Sequence, residues 1–151
     1  MPTRKHVHQI DLGHPPERVF ALLITPSAIR GWWSAARAIV VPEVGGLWVA
    51  AWGPSEVDPD YVVAYTITGL DPPRRLALAH TAYHARSGRL PFEAEFTTEF
   101  VIEPRPGGCA LRVTQDGFPL DAVADAFYTG CETGWRNTFD GIRKFLEGRE
   151  S

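Results

Sequence analysis

The chain has 151 residues, 44% of them hydrophobic and 22% charged, and a net charge of −3. That length fits one domain, spanning residues 1–151, whose core is large enough to fold without a disulfide scaffold or a structural metal. A mildly acidic balance excludes non-specific nucleic-acid binding, which needs a basic footprint.

The first six residues, from Met1 to His6, lack the apolar run of a signal peptide. No segment approaches the ~20 apolar residues of a membrane span. A cytoplasmic protein without a membrane span is the expectation. Residues 4–12 alternate and predict a first strand, stopped by Gly13-His14-Pro15-Pro16. Pro16 and Glu17 suit the first turn of a helix, with Val19, Phe20 and Leu23 as its apolar face. Thr25 can cap a second short helix that begins at Pro26 and reaches Trp32-Trp33.

From residue 38 the pattern changes to strands. Residues 38–41, 47–52, 61–69, 76–80, 95–103 and 109–115 read as strands joined by short turns, which implies an antiparallel meander. On the third of these, Tyr61, Val63, Tyr65 and Ile67 share a face. Phe96, Thr98, Phe100 and Ile102 share one on the fifth. Residues 81–93, which include His84, Gly88 and Pro91, read as a loop that could act as a lid. Gly117-Phe118-Pro119 should end the last strand. A single helix then runs from about 121 to 146, with Phe127, Cys131, Trp135, Thr138, Ile142 and Phe145 on one stripe. Gly130 and Gly134 interrupt its propensity, as if a backbone or a ligand came close, and Gly148 suits its C-terminal cap. The fold class is therefore α+β: a curved antiparallel sheet of about six or seven strands, two short helices after the first strand, and a long C-terminal helix across the concave face. Such an arrangement leaves an opening between sheet and helix.

Several stretches carry a resemblance in order. His14-Pro-Pro-Glu-Arg-Val-Phe20 and Thr25-Pro-Ser-Ala-Ile-Arg-Gly-Trp-Trp33 resemble the opening of the activator-of-heat-shock-protein-90-ATPase homologue-like family, within the START-like (SRPBCC, Bet v-like) helix-grip superfamily. Val44-Gly45-Gly46-Leu-Trp48 is similar to its glycine turn. Ile67-Thr-Gly-Leu-Asp-Pro-Pro-Arg-Arg-Leu76 is similar to its strand–turn–strand step. The run from Gly107 to Phe118 resembles its last hairpin, and Gly134-Trp135 its glycine–tryptophan pair. The resemblance implies the helix-grip fold. It does not imply one function, because similar proteins include lipid and sterol carriers and polyketide cyclases. The co-chaperone that names the family also uses a separate N-terminal domain, for which 151 residues leave no room.

The five tryptophans focus the search for a site. Trp32 and Trp33 end the second helix and would wall or gate the opening, stacking on a flat ligand; packing of helix on sheet is the plainer alternative. Trp48 and Trp52 lie four apart on one strand and share its face. Phe118, Phe127, Cys131 and Trp135 should look down on the sheet. They would equally serve as core, since a cavity wall is core with a ligand-sized gap. Tyr65 and His80 are candidate polar contacts, with Tyr61, Thr98, Arg112, Tyr128 and Asn137 as further ones.

No catalytic residue, metal site or cofactor motif stands out. Cys109 and Cys131 match no zinc spacing and read as reduced thiols, Cys131 as a buried inert one. His6-x-His8 lacks a third ligand and reads as a surface pair. The partner expected is a small hydrophobic or aromatic ligand, held in the cavity by a carrier or sensor. One alternative is a cyclase or hydrolase using His80, Glu95 or Glu99 as acid or base. The other is a protein-interaction or chaperone-modulating role. The edge strand at residues 38–41 could pair with a second copy to give a homodimer.

Overall fold

The computed structural model describes residues 3–33, 35–55, 57, 59–85, 96–120 and 122–148. Strand β1 (Thr3–Leu12) leads into helices α1 (Pro16–Ile24) and α2 (Pro26–Trp32). Strands β2 (Arg37–Val40), β3 (Leu47–Trp52), β4 (Tyr61–Asp71), β5 (Arg75–Ala85), β6 (Thr97–Arg105) and β7 (Gly108–Pro119) follow. One 3-10 turn over Ala122–Ala124 then opens helix α3 (Asp125–Gly148). The strands form one sheet in the order β1-β7-β6-β5-β4-β3-β2, with every neighbouring pair antiparallel. This is the arrangement that the sequence pattern predicts, a curved sheet, a long C-terminal helix and two short helices after the first strand, and it is the helix-grip fold that the resemblance implies. Among the described residues, no helix is long and apolar enough to cross a membrane.

The alternation of side chains decides which face is inside. On β6 and just before it, Phe96, Thr98, Phe100 and Ile102 are all buried while their neighbours are not. Each large apolar side chain withdrawn in this way contributes about 1.5–3 kcal/mol. The β6–β7 hairpin is tighter than the residues 104–108 suggest. Arg105 pairs with Gly108, so the turn is Pro106-Gly107 alone, with Gly107 at φ 78°. Proline second and glycine third is the arrangement that a turn with a positive φ at its third residue demands.

Three bulges bend the sheet, one of them at Thr68 of β4, where Ile67 faces Leu78 and Gly69 faces Ala77. On β1 the partners step from Arg4↔Phe118 to His6↔Gln115, so β7 carries one residue more than β1. Gly117 absorbs it at φ 98°, and its amide donates to Asp116 Oδ1 at 2.7 Å. The expected stop at residues 117–119 is therefore a bulge, and the strand continues to Pro119. The third falls at Thr81. Ala64 faces Ala82 and Tyr65 faces His80, leaving Thr81 as the extra residue of β5. An extra residue on one strand locally increases bend and twist. Strand β5 also runs on to Ala85, so His84 lies on a strand rather than in a loop. Residues 86–95, the remainder of the expected lid together with Glu95, lie outside the described residues.

Helices α1 and α2 plug one end of the fold. Val19, Phe20, Leu23 and Ile29 are almost fully buried. Thr25 does not cap α2 through its side chain; its hydroxyl donates back to the Ala21 carbonyl at 2.6 Å. The last carbonyls of a helix have no partner within it. Here two indoles serve them: Trp32 Nε1 donates to the Leu22 carbonyl at 2.9 Å and Trp48 Nε1 to the Leu23 carbonyl at 2.7 Å.

Helix α3, 24 residues long, spans roughly 36 Å at 1.5 Å per residue. Its C-terminal half buries Phe139, Ile142 and Leu146 and crosses α2 at close range. A methyl group at Gly141 would strike the Trp32 carbonyl oxygen, and one at Gly31 would strike the Phe145 ring. The N-terminal half is tied to β1. Tyr128 donates its hydroxyl to the Lys5 carbonyl at 2.9 Å, and Arg4 pairs with Asp125 at 2.5 Å.

Candidate functional site

Between α3 and the concave face lies a cavity of about 630 Å³. Its floor is Val63 and Tyr65 from β4, His80 from β5, Phe96, and Gln115 and Phe118 from β7. Its roof is Gly130, Cys131, Gly134, Trp135 and Thr138 of α3. One end is closed by Trp33, Trp52 and Tyr61. Gly130 and Gly134 are exposed as well as lining, so the helix forms part of the rim.

Trp33 is the hub of the aromatic wall. Its ring lies 5.4 Å from Trp32 and 6.3 Å from Trp135, both stacked, and 5.0 Å edge-on from Trp52. Trp48 is tilted against it at 5.7 Å. Hydrogen bonds hold the hub in place: Trp33 Nε1 donates to Thr138 Oγ1 at 3.1 Å, and Trp52 Nε1 donates to the Trp33 carbonyl at 3.2 Å. Along the floor, Tyr65, His80, Phe96 and Phe118 form a continuous row of edge-on and tilted rings, with centroids 4.9–5.7 Å apart. Offset and edge-on pairs of this kind are favourable beyond their buried area.

The polar groups are sparse. Tyr65 is buried, which pushes its phenol up to about 12 against a smaller opposing effect of the neighbouring Thr98 hydroxyl. Burial pushes the Cys131 thiol up to about 12. It stays protonated at neutral pH and is no thiolate nucleophile. Cys131 is half-buried and Cys109 buried, both free thiols. No cluster of three or more His, Cys, Asp or Glu suited to a metal occurs among the described residues.

Of the residues singled out in the sequence, Trp33, Trp52, Tyr61, Tyr65, His80, Phe118, Cys131 and Trp135 come together around the cavity. Trp32 and Trp48 do not line it. They are 2% and 1% exposed and sit behind the wall, their indoles spent on the end of α1. The side chain of Phe127 lies outside the described residues. Arg112 faces away from the helix and bonds Glu103 at 3.1 Å, Asn137 is exposed, and Tyr128 is occupied with Lys5.

Residues 13–147 match the family model described as Activator of Hsp90 ATPase homolog 1-like protein. The chain belongs to this family. Solved structures agree in fold. A protein from Mesorhizobium loti is 23% identical, with a TM-score of 0.77 over 95% of this chain and 97% of its own. One from Nitrosomonas europaea is 14% identical, with a TM-score of 0.77 over 97% and 96%. A protein from Aeromonas hydrophila that is described as AHSA1-like is 17% identical, with a TM-score of 0.74 over 97% and 94%. At such identities the likeness is one of fold. None of the curated proteins matches the sequence.

Within this Hsp90-activator-like frame, the lining residues not singled out in the sequence are Val63, Phe96, Gln115 and Thr138. Each carried a usable signal. Gln115 is in phase with Leu111 and Val113 on β7, and Phe96 is in phase with Phe100 on β6. His6 is a correction. It is 5% exposed rather than a surface residue, because it shares the inward phase of Ile10 and Leu12. Its Nδ1 lies 2.9 Å from His8 Nε2, and rings of Phe118 and Tyr128 cover it at 4.9 and 5.1 Å. Burial, reinforced by His8, lowers its pKa to about 4, against a smaller opposing pull from Glu132.

Proposed function

We propose that this chain binds a small hydrophobic or aromatic molecule in the cavity under α3, as a carrier or sensor. The observation that carries this reading is a cavity of about 630 Å³ walled mainly by aromatic rings. Its size falls within the range of small-molecule sites, ~300–1,000 Å³. The test is a thermal-shift screen with fatty acids, flat aromatics, sterols and polyketide-like phenols. A ligand at about 100 times its dissociation constant adds roughly 2.7 kcal/mol of stability. A saturable shift confined to one class supports binding. No shift with any class, at concentrations up to solubility, counts against it.

Two other readings each have one observation behind them. His80 lines the cavity, which favours acid–base turnover of whatever binds. Glu99 does not serve that reading, because it lies on the outer face and pairs with Arg75 at 2.5 Å. Incubating screen hits with the wild type and with His80→Ala, then looking for product by mass spectrometry, separates turnover from binding. Ile39, Val44 and Leu47, 49–63% exposed around the β2–β3 turn, favour a protein contact. A change in Hsp90 ATPase turnover on adding the chain, abolished by Leu47→Asp, would support that role.

A further inference from the structure

The two edges of the sheet are built differently. At one edge, β1 presents exposed Lys5, Gln9 and Asp11 around Val7, and Tyr128 of α3 takes up the Lys5 carbonyl at 2.9 Å. Charged and polar side chains and a covering helix are how sheets protect a free edge. At the other edge, no strand lies beyond β2 among the described residues. The outer-face side chains there are apolar: Ile39 is 58% exposed and Val41 39%, beside Leu47 at 49%.

The ladder with β3 decides which backbone groups of β2 are left for a partner. Val41 donates its amide to the Leu47 carbonyl at 2.8 Å, in register with the pairs Arg37↔Ala51 and Ile39↔Val49. Backbone groups alternate in direction along a strand. Residues 37, 39 and 41 therefore point theirs at β3, and Ala38 and Val40 point theirs outward. Two outward residues separated by one suit a second copy of the same strand laid antiparallel. With a two-fold axis through Ile39, Ala38 faces Val40 of the second copy and Val40 faces its Ala38, each pair exchanging two hydrogen bonds. Ile39 meets its own counterpart in a pair without backbone hydrogen bonds, the closer kind, where apolar side chains attract. Arg37 then faces Val41, so the two guanidinium groups lie at opposite ends of the ladder, each turned to its own Gly53 carbonyl at 3.2 Å. A register that set Arg37 on Arg37 would oppose like charges.

We propose that β2 is the interface of a homodimer, pairing antiparallel with β2 of a second copy about a two-fold axis through Ile39 and joining the two sheets into one. The proposal is independent of what the cavity binds. A ladder of four residues falls short of the ~1,200–2,000 Å² of a standard interface, so the association depends on concentration.

Sedimentation velocity on the full chain, up to about 1 mM so that even a millimolar dissociation constant is seen, should show monomer giving way to dimer. Ile39→Lys sets two ammonium groups on the axis and should stay monomeric throughout, with an unchanged circular dichroism spectrum because the side chain is exposed. Cysteine cross-linking reads the register. Ile39→Cys, oxidised with copper–phenanthroline, should give a disulfide-linked dimer, since Cα atoms in such a pair lie about 4.5 Å apart, within disulfide reach. Val41→Cys should not, because its counterpart lies four residues along the other strand, roughly 13 Å away. The wild type, with Cys109 buried and Cys131 half-buried, is the control. If Ile39→Lys does not fold, the two cysteine variants decide. A monomer at every concentration overturns the inference and leaves the apolar edge to a different protein. A dimer that persists in folded Ile39→Lys, or cross-linking as efficient at 41 as at 39, overturns it by placing the contact elsewhere or in another register.

Discussion

Helix α3 offers a paired experiment in which the same substitution should have opposite effects at two sites seven residues apart. Replacing an interior helical glycine by alanine stabilises the helix by about 0.8–1.0 kcal/mol through backbone entropy alone. At Gly134 an added methyl meets no atom within 4 Å, so Gly134→Ala should realise the whole gain. For a chain of this size that is a rise of about 2–4 °C in melting temperature. At Gly141 the methyl strikes the Trp32 carbonyl oxygen. Trp32 has little room to yield, since it is 2% exposed and bonded to the end of α1. Forcing apart a packed contact costs about 1–3 kcal/mol, so Gly141→Ala should be neutral to about 2 kcal/mol less stable. The propensity gain is common to both variants and cancels. The difference between them, about 1–3 kcal/mol, therefore reports the helix crossing alone. Urea unfolding followed by far-ultraviolet circular dichroism gives both values. Equal stabilisation by the two substitutions would refute the close crossing, and a destabilised Gly134→Ala would refute the open space beneath the rim.

The remaining predictions concern other parts of the fold. Trp48→Phe removes the indole donor from the Leu23 carbonyl at a 1% exposed site and should cost about 2 kcal/mol or more in urea unfolding; a loss under about 0.5 kcal/mol would mean the carbonyl finds another partner. His6 is held neutral in the fold with its pKa lowered to about 4, and His8 is lowered by burial too. The unfolded chain therefore takes up more protons below its ordinary value near 6.5. Stability should be complete above that pH, fall as pH drops toward 4, and fall no further on this account below it, with a total loss of about 3 kcal/mol from His6. His6→Phe should flatten that slope, and an unchanged slope would assign it elsewhere. Glu99→Gln breaks an exposed pair on the outer face, so it should cost no more than about 1 kcal/mol and leave the affinity for a screen hit unaltered; a change in affinity would bring Glu99 back into consideration for the site.

The long periodic segments were legible because burial of one face imposes a period that composition cannot hide. Strand β6 and helix α3 show this best. What escaped was local or depended on position along an element. Trp48 and Trp52 share a face of β3, as their spacing requires, yet only Trp52 reaches the cavity, because Trp48 lies beneath the α1–α2 plug. Facing inward and lining a gap are different properties, and only the first follows from spacing. Trp32 and Trp33 differ by one step of about 100° around the helix, and nothing in their neighbours says which indole will meet a helix-end carbonyl. The bulge at Gly117 looked like a strand end, since glycine marks either. His6 and Gln115 are a different case. The pairing His6-x-His8 reads as surface chemistry, yet the phase of His6 with Ile10 and Leu12, like that of Gln115 with Leu111 and Val113, places both side chains on the inner face.

The cavity itself follows from how glycine is distributed along α3. At Gly141, with Gly31 opposite, the missing side chain lets two helices meet backbone to ring and backbone to backbone. At Gly130 and Gly134 the missing side chains meet nothing, and the helix is tied down instead through Tyr128 and Asp125 to β1. The helix is thus anchored at both ends against α2 and one sheet edge, while its middle stands over β4 and β5 with no side chain at two of the positions facing the gap. Aromatic rings line the rest of that space but cannot fill it, because Trp33 and Trp52 are fixed by their own hydrogen bonds. A leucine at residue 130 or 134 would add a branched side chain to the roof at no cost in helix propensity relative to glycine. Glycine at both positions leaves that part of the roof open.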